Sequence, residues 1–191
     1  MPSTATSASV DPARIDVLRT ALPSGYEVAA LPADPTPAAF WGLGPGWAAD
    51  PPRCAALADP AAGARTIRGW SASGAGGIVY AVVAGSKAAL DQSLTDECRQ
   101  WAVSAGRTRG TVAVVAGPPI DRAPTVGLST TTTTAVESGT ETRSHEDTFT
   151  AYLGEYVAFV TVVSDPGSPN PPLGQEFAAE LLVKTVSAIR G

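Results

Sequence analysis

The chain carries one histidine, His145, within Arg143-Ser144-His145-Glu146-Asp147. Histidine is the side chain whose ordinary pKa places it between protonation states near neutrality, so it is the first candidate for general-base work. A nucleophile–base–acid set would draft Ser144 or Ser129 with His145 and Asp147. Adjacent residues on a strand point to opposite faces, which disposes Ser144 badly toward His145. There is also no GxSxG elbow, so no catalytic set is assigned. Asp96/Glu97 and Glu146/Asp147 are neighbours that need not share a face, and glycosidase chemistry gains no specific support from them. Asp121, Asp165 and Asn170 offer oxygens to a hard cation without EF-hand spacing, and no metal site is assigned. Gly42-x-Gly44-x-Gly46 and Gly74-x-Gly76-Gly77 lack the Lys-Ser/Thr of a phosphate loop; they read as turns, and no cofactor is expected.

Cys54 and Cys98 are the only cysteines. They form no CxxC pair and belong to no His/Cys ligand set. A single structural disulfide in an oxidising compartment is the favoured reading, with two buried thiols as the alternative. Closing so long a loop stabilises by roughly 4 kcal/mol in the unfolded-chain picture. The opening MPSTATSASV has neither a basic nor an apolar block, and residues 1–10 are expected to be a flexible leader before one domain over 11–191.

The elements that must position these residues follow from periodicity and punctuation. Asp11-Pro12 opens a helix with Ile15, Leu18 and Leu22 as its stripe. Tyr26–Leu31 is a short strand. Residues 38 to 60 make a long Trp/Gly/Pro crossing with helical turns at Ala38–Trp41 and Arg53–Leu57. Arg65–Ala72 and Ile78–Ala84 pair as a hairpin, and Ser86 is expected to cap a helix carrying Leu90 and Leu94. Residues 95–104 read either as more of that helix or as a strand beginning near Cys98, with a slight lean to the strand. Gly110–Ala116, Thr125–Val136 with its threonine run Thr130–Thr134, Thr142–Tyr152 and Tyr156–Val163 are strands. Leu173 to Arg190 is the clearest helix, apolar at Phe177, Ala178, Leu181, Leu182, Thr185 and Ile189. The fold class is α+β: an antiparallel sheet of about six strands flanked by N- and C-terminal helices.

A net charge of -5 without a basic cluster argues against nucleic acid and against an anionic membrane surface as partners. Arg107 and Arg109 are too few to make a footprint. No apolar run reaches transmembrane length. What remains is a surface inventory of aromatics and hydroxyls: Trp41, Trp47, Trp70, Trp101 and Tyr80 could line a pocket beside the threonine strand. Such a surface suits a small apolar or sugar-like ligand, or another envelope protein. The ordinary alternative for each aromatic is core packing.

The segments Leu22-Pro23-Ser24-Gly25-Tyr26-Glu27-Val28, Pro51-Pro52-Arg53-Cys54, the Cys98 region and Ala151–Tyr156 through Phe177–Val186 resemble exported mycobacterial lipoproteins of undetermined function. More distantly, the two-cysteine α/β plan is similar to the extracellular sensor domain of the mycobacterial kinase PknH. The resemblance implies export, an antiparallel sheet flanked by helices of the Mog1/PsbP type, and a lipid anchor. The chain has no cysteine before Cys54, so such an anchor either belongs to a precursor or is absent. No catalytic residue is carried over. The leading expectation is a non-enzymatic cell-envelope domain that binds a ligand or partner. The alternative is a hydrolase of a wall or lipid substrate with His145 as base, which requires a Ser or Thr hydroxyl at one ring nitrogen and an acid at the other. A structural or assembly role through an exposed sheet edge is the third reading.

Overall fold

The structure, a computed structural model, describes residues 9–191; most of the expected leader, residues 1–8, lies outside the described residues. Val10 already packs against the core. The chain then enters a 3-10 helix, Pro12–Ala21, where the Asp11 carboxylate accepts the Ala13 amide at 3.1 Å and Pro12 fills the first turn. Three residues per turn align Ile15 and Leu18 on one edge, and both are buried; Leu22 falls at the end of the helix, half-buried.

The strands are β1 (Glu27–Ala29), β2 (Ala48–Asp50), β3 (Ile67–Gly74), β4 (Gly77–Gly85), β5 (Gln100–Ala105), β6 (Thr108–Ala116), β7 (Thr125–Ala135), β8 (Glu141–Tyr152) and β9 (Tyr156–Ser164). They form one sheet in the order β1-β3-β4-β9-β8-β7-β6-β5-β2, antiparallel throughout. The sheet thus has nine strands rather than about six. Edge strand β1 falls within the expected Tyr26–Leu31 strand, whereas the other edge strand, β2, is three residues long and shows no alternation to read. β2 lies inside the Trp/Gly/Pro crossing, where only helical turns are expected from sequence.

The helices are α1 (Pro37–Phe40), α2 (Ala55–Ala58), α3 (Gln92–Glu97) and α4 (Gly174–Arg190). Ser86 does not cap a helix. Its hydroxyl accepts from the Ala88 amide in a local turn and donates to the Pro60 carbonyl. Asp91 is the cap instead: one carboxylate oxygen takes both the Ser93 and Leu94 amides, so α3 starts at the residue after it. Cys98 ends α3 and β5 begins at Gln100, as the strand reading of this stretch expects.

Two layers cover the sheet. On one face α4 and the 3-10 helix lie over β3, β4, β9 and β8. Trp70, Val79, Phe149, Val160 and Val162 meet Leu181, Leu182, Val186 and Ile189 there. The Trp70 indole N–H donates to the Ile15 carbonyl at 3.0 Å, fastening the 3-10 helix to the strands. On the other face the crossing segment packs Phe40, Trp41, Leu43 and Leu57 over β4 to β7 and β9. Its anchor is the Cys54–Cys98 disulfide, which joins residues 44 apart just before α2 and just after α3. Arg53 and Glu97 form an ion pair beside it. No helix among the described residues is long and apolar enough to cross a membrane.

Replacing both Cys54 and Cys98 by serine is expected to lower the unfolding free energy by about 4 kcal/mol. Urea unfolding of the oxidised wild type and the double variant checks this. A difference under about 1 kcal/mol would mean that the crossing is held by packing alone.

Candidate functional site

Beyond β8, no helix among the described residues lies over the helical face of the sheet. Strict alternation along β6, β7 and β8 carries the parity of buried Phe149 outward to Asp147 and His145, and across the ladder to Ser129 and Thr131. The same rows continue through Thr133 and Arg143, Arg109 and Thr111, then Ala102 and Ser104, and end at Asp50 on the edge. Between β2 and β7 these residues enclose an open groove of about 490 Å³, lined by Asp50, Ser104, Arg109, Thr111, Thr131 and Thr133 among others. Arg109 reaches sideways to Glu141 at 2.9 Å. Gly127 marks the border with the apolar half: a Cβ there would lie 2.5 Å from the Phe149 ring, so only glycine lets that ring spread over β7.

His145 stands at the junction. Its Nε2 lies 3.2 Å from Asp147 Oδ1 and its Nδ1 lies 3.4 Å from the Thr131 hydroxyl. Asp147 is buried and the ring is half-exposed. The hydrogen bond to Asp147 raises the His145 pKa, while partial burial opposes it. The hydroxyl at the ring is therefore Thr131, not Ser144 or Ser129; Ser144 points to the other face, toward the Ser164 carbonyl. Sequence reasoning missed Thr131 because its place opposite His145 depends on the β7/β8 register. This chain of groups does not amount to an acyl-transfer site. The Thr131 contact is at the long limit of a hydrogen bond, the ring is open to water, and the amides of interior strands are engaged in the ladder rather than free to hold an oxyanion. Among the described residues, no three His, Cys, Asp or Glu side chains are grouped to hold a metal ion.

The tryptophans do not line this groove. Trp70 is fully buried under α4. Trp41 and Trp101 are buried on the opposite face, their rings 6.3 Å apart, and Trp47 packs half-buried against the same cluster. Tyr80 stacks on Phe40 at 3.9 Å. The five aromatics expected to share a surface are thus split by the sheet and consumed mostly in cores, because strand alternation sends Trp70 and Trp101 to opposite sides. The threonine strand does face a groove, but with hydroxyls and an arginine as its companions.

The buried face holds a charge of its own. Glu146 is fully inaccessible; one carboxylate oxygen accepts from Thr132 at 3.1 Å and the other has no partner. Burial raises its pKa to about 7, outweighing the opposing effect of the Ser144 and Thr132 hydroxyls beside it. The Trp101 indole N–H and the Thr130 hydroxyl are also unpartnered, and register places Trp101, Val112, Thr130 and Glu146 in one cross-strand row.

The chain belongs to the family Domain of unknown function (DUF5642), whose profile matches residues 11–190. Its fold is similar to the crystal structure of an uncharacterized Mycobacterium smegmatis protein, the Rv0999 ortholog. That likeness has a TM-score of 0.69 at 22% identity over 97% of this chain and 100% of the other. A looser likeness, TM-score 0.45 at 9% identity, covers 95% of this chain and 94% of the extracellular domain of PknH from Mycobacterium tuberculosis. No curated protein matches the sequence.

Glu146 gives a signed pH dependence. Its folded pKa of about 7 lies above the ordinary 4.5, so the folded state holds the proton more tightly. The stability tied to that proton is complete below about pH 4.5 and declines until about pH 7, a change on the order of 3 kcal/mol. Glu146→Gln keeps the shape and is expected to flatten that slope. Thermal unfolding of both proteins between these limits reads it, and an unchanged slope would show that Glu146 is already ionised when folded.

Proposed function

We propose that this is a non-enzymatic, extracytoplasmic binding domain whose ligand lies in the hydroxyl-lined groove of β2, β5, β6 and β7. The observation that carries the reading is the uncovered half-face itself. Thr111, Thr131, Thr133 and Ser104 present hydroxyls beside one guanidinium, Arg109, and one carboxylate, Asp50. Short donors and acceptors on a rigid sheet match the hydroxyls of a sugar-like or polyol ligand, and a groove of about 490 Å³ is within the size range of small-molecule sites. The disulfide supports a location outside the reducing cytoplasm. Attachment by a lipid in the precursor, a Mog1/PsbP-type ancestry and a sensing role are the finer parts of this proposal; they rest on the sequence resemblance. The hydrolase reading is not carried forward, because the His145 cluster lacks oxyanion donors and exclusion of water.

Titrating the labelled protein with mono- and disaccharides is expected to shift amide resonances of β5, β6 and β7 first. Thr111→Val with Thr133→Val removes two hydrogen-bonding hydroxyls at nearly constant volume. It should weaken binding about tenfold, from roughly 1 kcal/mol or less per bond. Shifts confined to other elements, or an unweakened double variant, would reject the groove.

A further inference from the structure

A second cavity, of about 520 Å³, opens on the opposite side of the sheet from the hydroxyl groove. Leu57 and Asp59, on and just after α2, form one wall. Ala88 and Leu90 of the strap before α3, with Leu94 of α3 itself, form the other, and Tyr152 is also in the lining. The disulfide clamps both walls, since Cys54 immediately precedes α2 and Cys98 immediately follows α3. Most polar groups around this cavity are committed: Asp91 caps α3, the Ser86 hydroxyl is bonded to Pro60 and Ala88, and Lys87 pairs with Glu155 at 3.5 Å.

Asp59 is the exception. One of its carboxylate oxygens is sealed from solvent with no hydrogen-bond donor; the other has no hydrogen bond among the described residues and is the one left to a ligand in the cavity. Burial raises its pKa, and the nearby negative charge of Asp34 raises it further. Both effects are what an unneutralised carboxylate produces, and both would be relieved by a cation. The Tyr152 phenol, pushed to about 12 by burial, stays protonated and adds no competing charge.

We propose that this cavity binds an amphipathic organic cation, an alkyl- or arylamine, with its apolar body against Leu57, Leu90 and Leu94 and its ammonium at Asp59. The attraction is the combination of an apolar wall and one unpaired acid in a chain whose net charge is -5. The site stands apart from the hydroxyl groove, so either can fail without the other.

The test is a titration of the oxidised protein with n-hexylamine and with hexan-1-ol at about pH 8, where the amine is protonated and the carboxylate ionised. Amide resonances are followed over residues 55–62 and 86–94. The amine is expected to bind at least fivefold more tightly than the alcohol, with shifts confined to those segments. Asp59→Asn is expected to abolish the preference while leaving the alcohol's affinity unchanged. Equal affinities in the wild-type protein, a preference that survives Asp59→Asn, or shifts that map elsewhere would overturn the proposal. The wild-type comparison alone decides the matter should the variant fail to fold.

Discussion

Nine strands at about 4.8 Å spacing make a sheet roughly 40 Å across, while α4 and the 3-10 helix lie only over β3, β4, β9 and β8 on one face. That mismatch between width and cover dictates the rest of the molecule. A bare apolar half-face would expose a large hydrophobic patch, so β5, β6 and β7 place mainly Ser, Thr, Gln and Arg on that side, with the small Ala102 and Ala113 between them, while β4 and β9 place Val and Ala there. The open groove follows directly from covering a wide sheet with few helices. Threonine suits the position on two counts: its branched Cβ favours extended backbone and its hydroxyl keeps the exposed face wet.

The opposite face is covered by a segment that cannot hold itself in place. Residues 30 to 66 contain only two single-turn α-helices, one 3-10 turn (Pro52–Cys54) and a three-residue strand, far too little regular structure for backbone bonding to fix them. They are fixed by side chains: Trp41 through its indole hydrogen bond to Thr148 at 3.1 Å, Phe40 through its stack on Tyr80, and Cys54 through its bond to Cys98. Each anchor reaches a residue distant in sequence, so the crossing is held by the sheet rather than by its own local structure. The disulfide lies near the outer strand β5, away from the central β8.

The long elements were legible because they repeat a period often enough to be read. α4 shows an apolar face over four turns, and β8 and β9 together carry a hairpin of alternating and fully buried residues. What was illegible is what only tertiary geometry decides. The three-residue edge strand β2 has no period, and the start of α3 turned on which of two good capping residues, Ser86 or Asp91, found unpaired amides. The candidate site was half legible: the threonine strand was recognisable as a surface with hydroxyls to spare. The tryptophans misled because an aromatic's type does not say which side of a strand it occupies, and sequence separation hid the pairing of Thr131 with His145.

β8 shows how one strand serves two media at once. Its successive residues His145, Glu146 and Asp147 are all titratable, yet alternation delivers the first and third to the wet, half-open face and the second to the dry one. His145 and Asp147 satisfy each other across two positions of the same strand, with burial of the acid and hydration of the ring in balance. Glu146 has no such partner, and a carboxylate with one bare oxygen in an apolar layer is tolerable chiefly as the neutral acid. Neutral, it can act as a donor in a row where the Thr130 hydroxyl stands unpartnered; ionised, it would face that row as a buried charge. Burial therefore couples the packing beneath the Trp-rich crossing to protonation of Glu146, a residue that lies on the same strand as the groove's His145 but on the opposite face.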